Sequence, residues 1–186
     1  PSIEGFLFPD TYIFLSSYTE EQIITIMVNQ FFHNYKKHIE EFKGHTSLSM
    51  REITTLASII QGEAMYNDEM PTISSVYHNR LKRKMLLQAD PTIQYIIPGK
   101  NRRLYNKHLR VDSPYNTYKY KGLPPGPINN PGLSALKAAI HPVDSNFLYF
   151  VADGEGRHIF TQNNEEHNEA KKVLKRKRRE MKRKKK

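Results

Sequence analysis

Residues 53–64 read ITTLASIIQGEA, and their apolar positions recur at helical spacing. On a helix advancing about 100° per residue, Ile53, Leu56, Ala57, Ile60 and Ala64 share one face, which has to be buried against other elements. Glu63 falls beside Leu56, Ile59 and Ile60 at the end of that stripe. A carboxylate so placed is poorly hydrated, which disfavours its charged form and raises its pKa. Such a group can hold a proton near neutral pH and hand it to a reacting oxygen, so Glu63 is a candidate general acid. The competing reading is that Glu63 turns outward at the helix end and pairs with a Lys or Arg.

Boundary signals on either side organise the rest of the chain. Thr19 with Gln22 and Ser49 with Glu52 are capping boxes, and they open helices expected to run to about residue 42 and through Glu63. Asn67 or Asp68, with Pro71 in the first turn, starts a third helix on which Ile73, Val76, Tyr77 and Leu81 recur. The candidate acid thus lies where one helix ends and a short surface connection begins. Residues 3–14, IEGFLFPDTYIF, are rich in aromatic and β-branched residues around Pro9-Asp10 and predict two short strands or one bent edge strand. After Met85 come short apolar pieces divided by turns, a polar stretch over 100–112, and GLPPGP, whose prolines dictate a stiff extended loop. LSALKAAI predicts a short helix ending at His141-Pro142. FLYFVADG and RHIF around Gly154 and Gly156 predict a hairpin, and Asn163 or Asn164 caps a last helix.

Charge divides unevenly. The net charge is +10, but residues 171–186 alone hold 12 basic residues and one acidic, leaving 17 basic and 18 acidic for everything before. The body is close to neutral, so sequence-specific nucleic-acid binding is disfavoured. The terminal run reads first as a solvated tail that adds nothing to the fold, and second as an adhesive for an anionic surface such as lipid head groups or an acidic wall polymer. The 11 tyrosines suit a surface that handles sugars, because the ring packs while the hydroxyl bonds. With no cysteine there is no disulfide framework or thiolate chemistry. No apolar run approaches the length of a membrane span, and a start at Pro1 leads us to expect an anchor or signal upstream.

The chemistry narrows by elimination. The phosphate-loop, zinc-helix and nucleophile-elbow motifs do not occur, no metal or cofactor is expected, and His141 before Pro142 reads as a packing residue. Carboxylate chemistry remains. Hydrolysis of a glycoside takes two carboxylates, for which Asp90 in LQADPT is the second candidate, although Asp-Pro-Thr is equally a helix-start signal. Alternatively, one Glu protonates the leaving oxygen and then accepts the proton of an attacking sugar hydroxyl.

Eight motifs in order, EGFLFPDTY (4–12), LASIIQGE (56–63), HNRL (78–81), LQADPT (87–92), SPYNTY (113–118), GLPPGPI (122–128), KAAIHP (137–142) and YFVADGEGRHIF (149–160), together resemble the catalytic domain of the YceG-like family of endolytic murein transglycosylases. The resemblance implies a lyase that cuts nascent peptidoglycan strands between N-acetylmuramic acid and N-acetylglucosamine, leaves 1,6-anhydro-muramic ends, and so terminates strand elongation. It places the catalytic glutamate on Glu63. Where many relatives carry another acid two positions earlier this chain has Gln61, about 160° away round the helix. It further implies Gln88, Asp90, Asn116, Thr117 and Tyr118 as donors and acceptors for hydroxyl and acetamido groups. Pro125, within 123–128, becomes a rigid groove wall, with His141, Asp153 and His158 lining the site or holding the hairpin. Peptidoglycan strands are the implied partner, with peptidoglycan synthases as candidate protein partners. The implied location is the extracytoplasmic face of a bacterial cell membrane, with a membrane helix and a LysM-like region upstream.

The expected architecture is α+β: capped helices beside a small antiparallel sheet over residues 1–168, followed by a basic tail over 169–186, helical or disordered. A peptidoglycan-binding module without catalysis is the alternative function.

Overall fold

The computed structural model describes residues 2–99 and 103–184, with the backbone alone at 43–45, 177–182 and 184. Among these residues, α1 (Glu20–His38), α2 (Met50–Glu63), α3 (Met70–Lys82), α4 (Asp90–Ile96), α5 (Leu133–Ile140) and α6 (Asn164–Lys184) accompany a two-stranded antiparallel sheet, β1 (Tyr149–Ala152) and β2 (His158–Thr161). This is the α+β arrangement of capped helices beside a small sheet. Residues 100–102 of the polar stretch and 185–186 of the basic run lie outside the described residues.

Both capping boxes form. Thr19 Oγ1 accepts from the Gln22 N–H and Gln22 Oε1 from the Thr19 N–H, and Ser49 with Glu52 repeats the exchange. Each box satisfies donors that a helix start leaves unpaired. The first helix ends at His38, short of the expected 42, because the chain tightens into a 3-10 turn over Glu40–His45 once Ile39 is fully buried.

Helix α2 departs from the one-faced stripe of the sequence reading. Every residue from Ile53 to Ile60 is buried, so α2 is the central element, enclosed by α3, α4 and α5. Burial on all sides requires its polar side chains to find internal partners. Thr54 and Thr55 hydroxyls donate one turn back to the carbonyls of Met50 and Arg51, while Ser58 Oγ donates to Thr55 O and accepts the Ile128 N–H. Helix α5 packs on α2 with Ala135, Leu136, Ala138 and Ala139 buried, and the three alanines let the two backbones approach.

The HNRL motif fastens α3 to the chain that follows α5. His78 Nε2–H donates to Ala139 O, Asn79 Nδ2 to Ser145 O and Phe147 O, and Arg80 Nε to Leu148 O. These bonds deliver the chain into β1. The hairpin then pairs Tyr149 with Thr161 and Ala152 with His158. Asp153 Oδ1 accepts from the N–H groups of Glu155 and Arg157 and fixes the turn, in which Gly154 and Gly156 take φ near +95°.

The expected strands over 3–14 are absent. Asn130 Oδ1 accepts from both Gly5 N–H at 2.7 Å and Leu7 N–H at 3.1 Å, Phe8 N–H bonds Met27 O, and Pro9 has no donor. A side chain and a helix have taken the bonds a sheet partner would have used. The basic run also differs from a tail that adds nothing. It continues α6, and Ala170 and Leu174 are buried against the hairpin.

Candidate active site

Glu63 is the last residue of α2, and its carboxylate opens on a cleft with two arms. One arm is bounded by Gly62, Pro91, Gln94, Tyr95 and Asn129. The other, about 460 Å³, runs past Arg80, Gln88 and Tyr118 to the hairpin and α6. Glu63 and Asp90 border both.

The close fit around Glu63 has a local cause in Gly62. A Cβ built there would stand 2.7 Å from Pro91 Cβ and 3.0 Å from its Cγ, so only glycine lets the start of α4 lie against the end of α2. In return, the Asp90 backbone N–H comes close enough to the Glu63 carboxylate to favour its charged form.

Burial is the largest influence on Glu63 and pushes its pKa up from an ordinary 4.5 to about 7. The Tyr77 hydroxyl, donating to Oε1 at 2.9 Å, opposes this by stabilising the charged form. The nearby Asp90 charge adds to the rise, and the Asp90 N–H and the Arg80 charge reduce it. Glu63 therefore exchanges its proton near neutrality. The outward-turned alternative does not hold, since Glu63 forms no ion pair among the described residues.

Tyr77 is itself fully buried, edge-on to Phe150 at 5.9 Å, and burial drives its own pKa well above the ordinary range. It remains a neutral donor. Arg80, 7% exposed, spends Nε on Leu148 O and Nη1 on Leu86 O and Leu87 O.

The other expected site residues separate into two groups. Gln88 and Tyr118 line the cleft with Asp90. Gln88 holds a left-handed backbone at φ 49° between buried Leu87 and Ala89, a conformation that turns its side chain outward. The Tyr118 hydroxyl donates to Asp90 Oδ1 at 2.5 Å. Asn116 and Thr117, by contrast, lie beneath the surface at 0% and 2% exposure. Asn116 Nδ2 donates to Leu109 O and Val111 O, and its Oδ1 accepts the Tyr118 N–H. Thr117 Oγ1 accepts the Ala89 N–H and meets Thr92 Oγ1, while Thr117 O accepts the Gln88 N–H. Their polar atoms are already committed, so these two hold Gln88, Asp90 and Tyr118 in place instead of meeting a ligand.

Pro125 and His141 stand away from Glu63. Pro125 borders a separate depression with Ser113, Tyr120 and Leu123, and its carbonyl accepts from Arg51 Nε. His141 closes α5 and packs edge-on against Phe42 at 4.2 Å. Gln61 serves structure, with Oε1 accepting the Gly132 N–H just before α5. His158 does reach the cleft, its N–H and Nδ1 both directed at the buried Glu69 carboxylate.

Tyr77, Arg80, Gly62, His167 and Lys171 were not marked by the sequence reading. Tyr77 lay within a helical apolar pattern and read as core. Only the glycine directly before the acid carried a signal that could have been taken up.

The family model of the YceG-like family matches residues 1–173. The chain belongs to the YceG-like family. It is 43% identical over 173 residues to the endolytic murein transglycosylase of Bacillus subtilis (strain 168), covering 91% of this chain and 47% of that protein. Against the endolytic murein transglycosylase of Streptococcus pneumoniae serotype 2 the identity is 36% over 171 residues, covering 89% and 31%. The crystal structure of a yceG-like protein from Listeria monocytogenes superposes with a TM-score of 0.84 at 43% identity, over 90% of this chain and 55% of that one. The YceG-like chain spans less than half the length of the curated relatives it matches.

Proposed function

We propose that the chain is a peptidoglycan lytic transglycosylase in which Glu63 acts first as general acid and then as general base. Protonated Glu63 gives its proton to the glycosidic oxygen between N-acetylmuramic acid and N-acetylglucosamine. The resulting carboxylate takes the proton from the 6-hydroxyl of the muramic residue as that oxygen closes on the anomeric carbon. The products are an anhydro-muramic end and a free hydroxyl on the departing sugar, with Glu63 again protonated and no water consumed.

The observation that carries this reading is one half-buried carboxylate, its pKa raised to about 7 by desolvation, bordering both arms of the cleft. A group that must donate and then recover a proton works best when its pKa lies near the working pH. Asp90 is exposed and bonded by Tyr118, which suits positioning better than a second proton transfer. The open cleft favours cutting within strands. An extracytoplasmic site of action, at a membrane where strands are made, and a link to peptidoglycan synthases are parts of the same proposal.

The test is mass analysis of purified peptidoglycan after incubation with the chain and with Glu63→Gln. Anhydro-muramic ends from the first, and at least a 10²- to 10⁴-fold loss from the second, are expected. Reducing ends would identify a water-using muramidase, and no new ends a binding module.

A further inference from the structure

The α6 side of the cleft carries positive charge that the reaction above does not use. Arg80 is a buried guanidinium whose Nε and Nη1 bond only to main-chain carbonyls, and no carboxylate forms an ion pair with it among the described residues. His167 stacks on Tyr149 at 5.1 Å, and Arg80 lies over that same ring at 5.2 Å. His167 Nδ1 is buried without a hydrogen-bond partner. Lys171, one helical turn further on, lines the cleft and forms no ion pair, whereas its neighbour Lys172 is bonded to Glu169. The charges of Lys171 and Arg80 both bear on His167, which confirms that the three groups cluster. A buried cation without an ion-pair partner is costly, and Asp90, which also borders this arm, is bonded to the Tyr118 hydroxyl and not to Arg80. Glu63 and Asp90 border the same arm, so the cleft carries groups of both signs.

We infer that Arg80, His167 and Lys171 form a carboxylate-binding subsite that receives the peptide stem of the muramic residue cut at Glu63. The inference rests on the transglycosylase reading for the identity of the strand. The sugar backbone offers hydroxyl and acetamido groups, which carry no charge. Carboxylates enter a peptidoglycan strand with its stems. A stem carboxylate beside Arg80 and Lys171 would orient the muramic residue relative to Glu63, with Arg80 providing the fixed donor and Lys171 an adjustable one.

The experiment compares strands whose stem carboxylates are free with strands in which the same carboxylates are amidated, measuring binding in the Glu63→Gln background and cleavage in the active chain. Arg80 is not substituted, since it also holds three carbonyls. Lys171→Gln is expected to lower the preference for strands with free over amidated stem carboxylates about three- to tenfold, in both binding and kcat/KM. Lys172→Gln, with the same charge change on the outer face of α6, is expected to leave the preference intact. An unchanged preference in Lys171→Gln, or an equal loss for both strands, overturns the subsite. Strands that bind with this preference but are never cut would overturn the transglycosylase reading and leave the subsite standing.

Discussion

Tyr77 stands 14 residues from Glu63 in the chain, on the next helix, and its hydroxyl donates to Glu63 Oε1 at 2.9 Å. The bond is stronger to the ionised carboxylate than to the acid, so Tyr77 pulls against the burial that holds the proton on Glu63. The balance of the two leaves the pKa near 7, within reach of both halves of the proposed reaction. Burial alone would hold the proton more tightly and make Glu63 a weaker donor.

Tyr77→Phe keeps the ring against Phe150 and removes only the donor. The Glu63 pKa should rise further, moving the alkaline limb of the kcat/KM profile up by roughly one pH unit. Activity at pH 7 should fall about tenfold as the first proton transfer, donation to the glycosidic oxygen, weakens. A pH–rate profile measures both. An unshifted limb would mean that Tyr77 does not govern this proton.

Glu63 also makes stability depend on pH. Below its ordinary pKa of 4.5 both folded and unfolded chains are protonated there, and the contribution is whole. Between 4.5 and about 7 the unfolded chain releases the proton that the folded chain keeps, so stability falls as pH rises through this window. The loss is at most about 3–4 kcal/mol. Glu63→Gln has no such proton, so it should gain on the native chain between pH 4 and pH 8, read from denaturant unfolding at each pH.

Asn116 separates a scaffold role from direct substrate contact. Asn116→Ala strands the carbonyls of Leu109 and Val111 and the Tyr118 N–H. It should cost about 3 kcal/mol and lower the melting midpoint by roughly 6–12 °C. Calorimetry decides: an unchanged melting point with weakened strand binding would return Asn116 to the substrate.

Local chemistry made several elements readable from the chain. The capping boxes at Thr19 and Ser49, Pro71 at a helix start, the glycines of the hairpin turn and the extended GLPPGP loop each depend on near neighbours in sequence. The Glu63 helix was legible for the same reason, and with it the candidate acid. Residues 3–14 misled because their composition suits a strand, while the side chain that takes their hydrogen bonds, Asn130, lies 125 positions from Gly5.

What the sequence determined by itself was therefore five of the six helices, α4 excepted, the hairpin, and one carboxylate at the end of an apolar helix. Tertiary structure alone decided that this helix is enclosed on all sides, that Gly62 admits Pro91, and that Tyr77 and Arg80 face Glu63. It also decided that Asn116 and Thr117 hold the cleft from below and that α6 brings Lys171 to its rim. Helix caps and turns act over three or four residues. A pKa depends on every charge and every missing water within a few ångströms, and those neighbours are gathered only when distant segments pack.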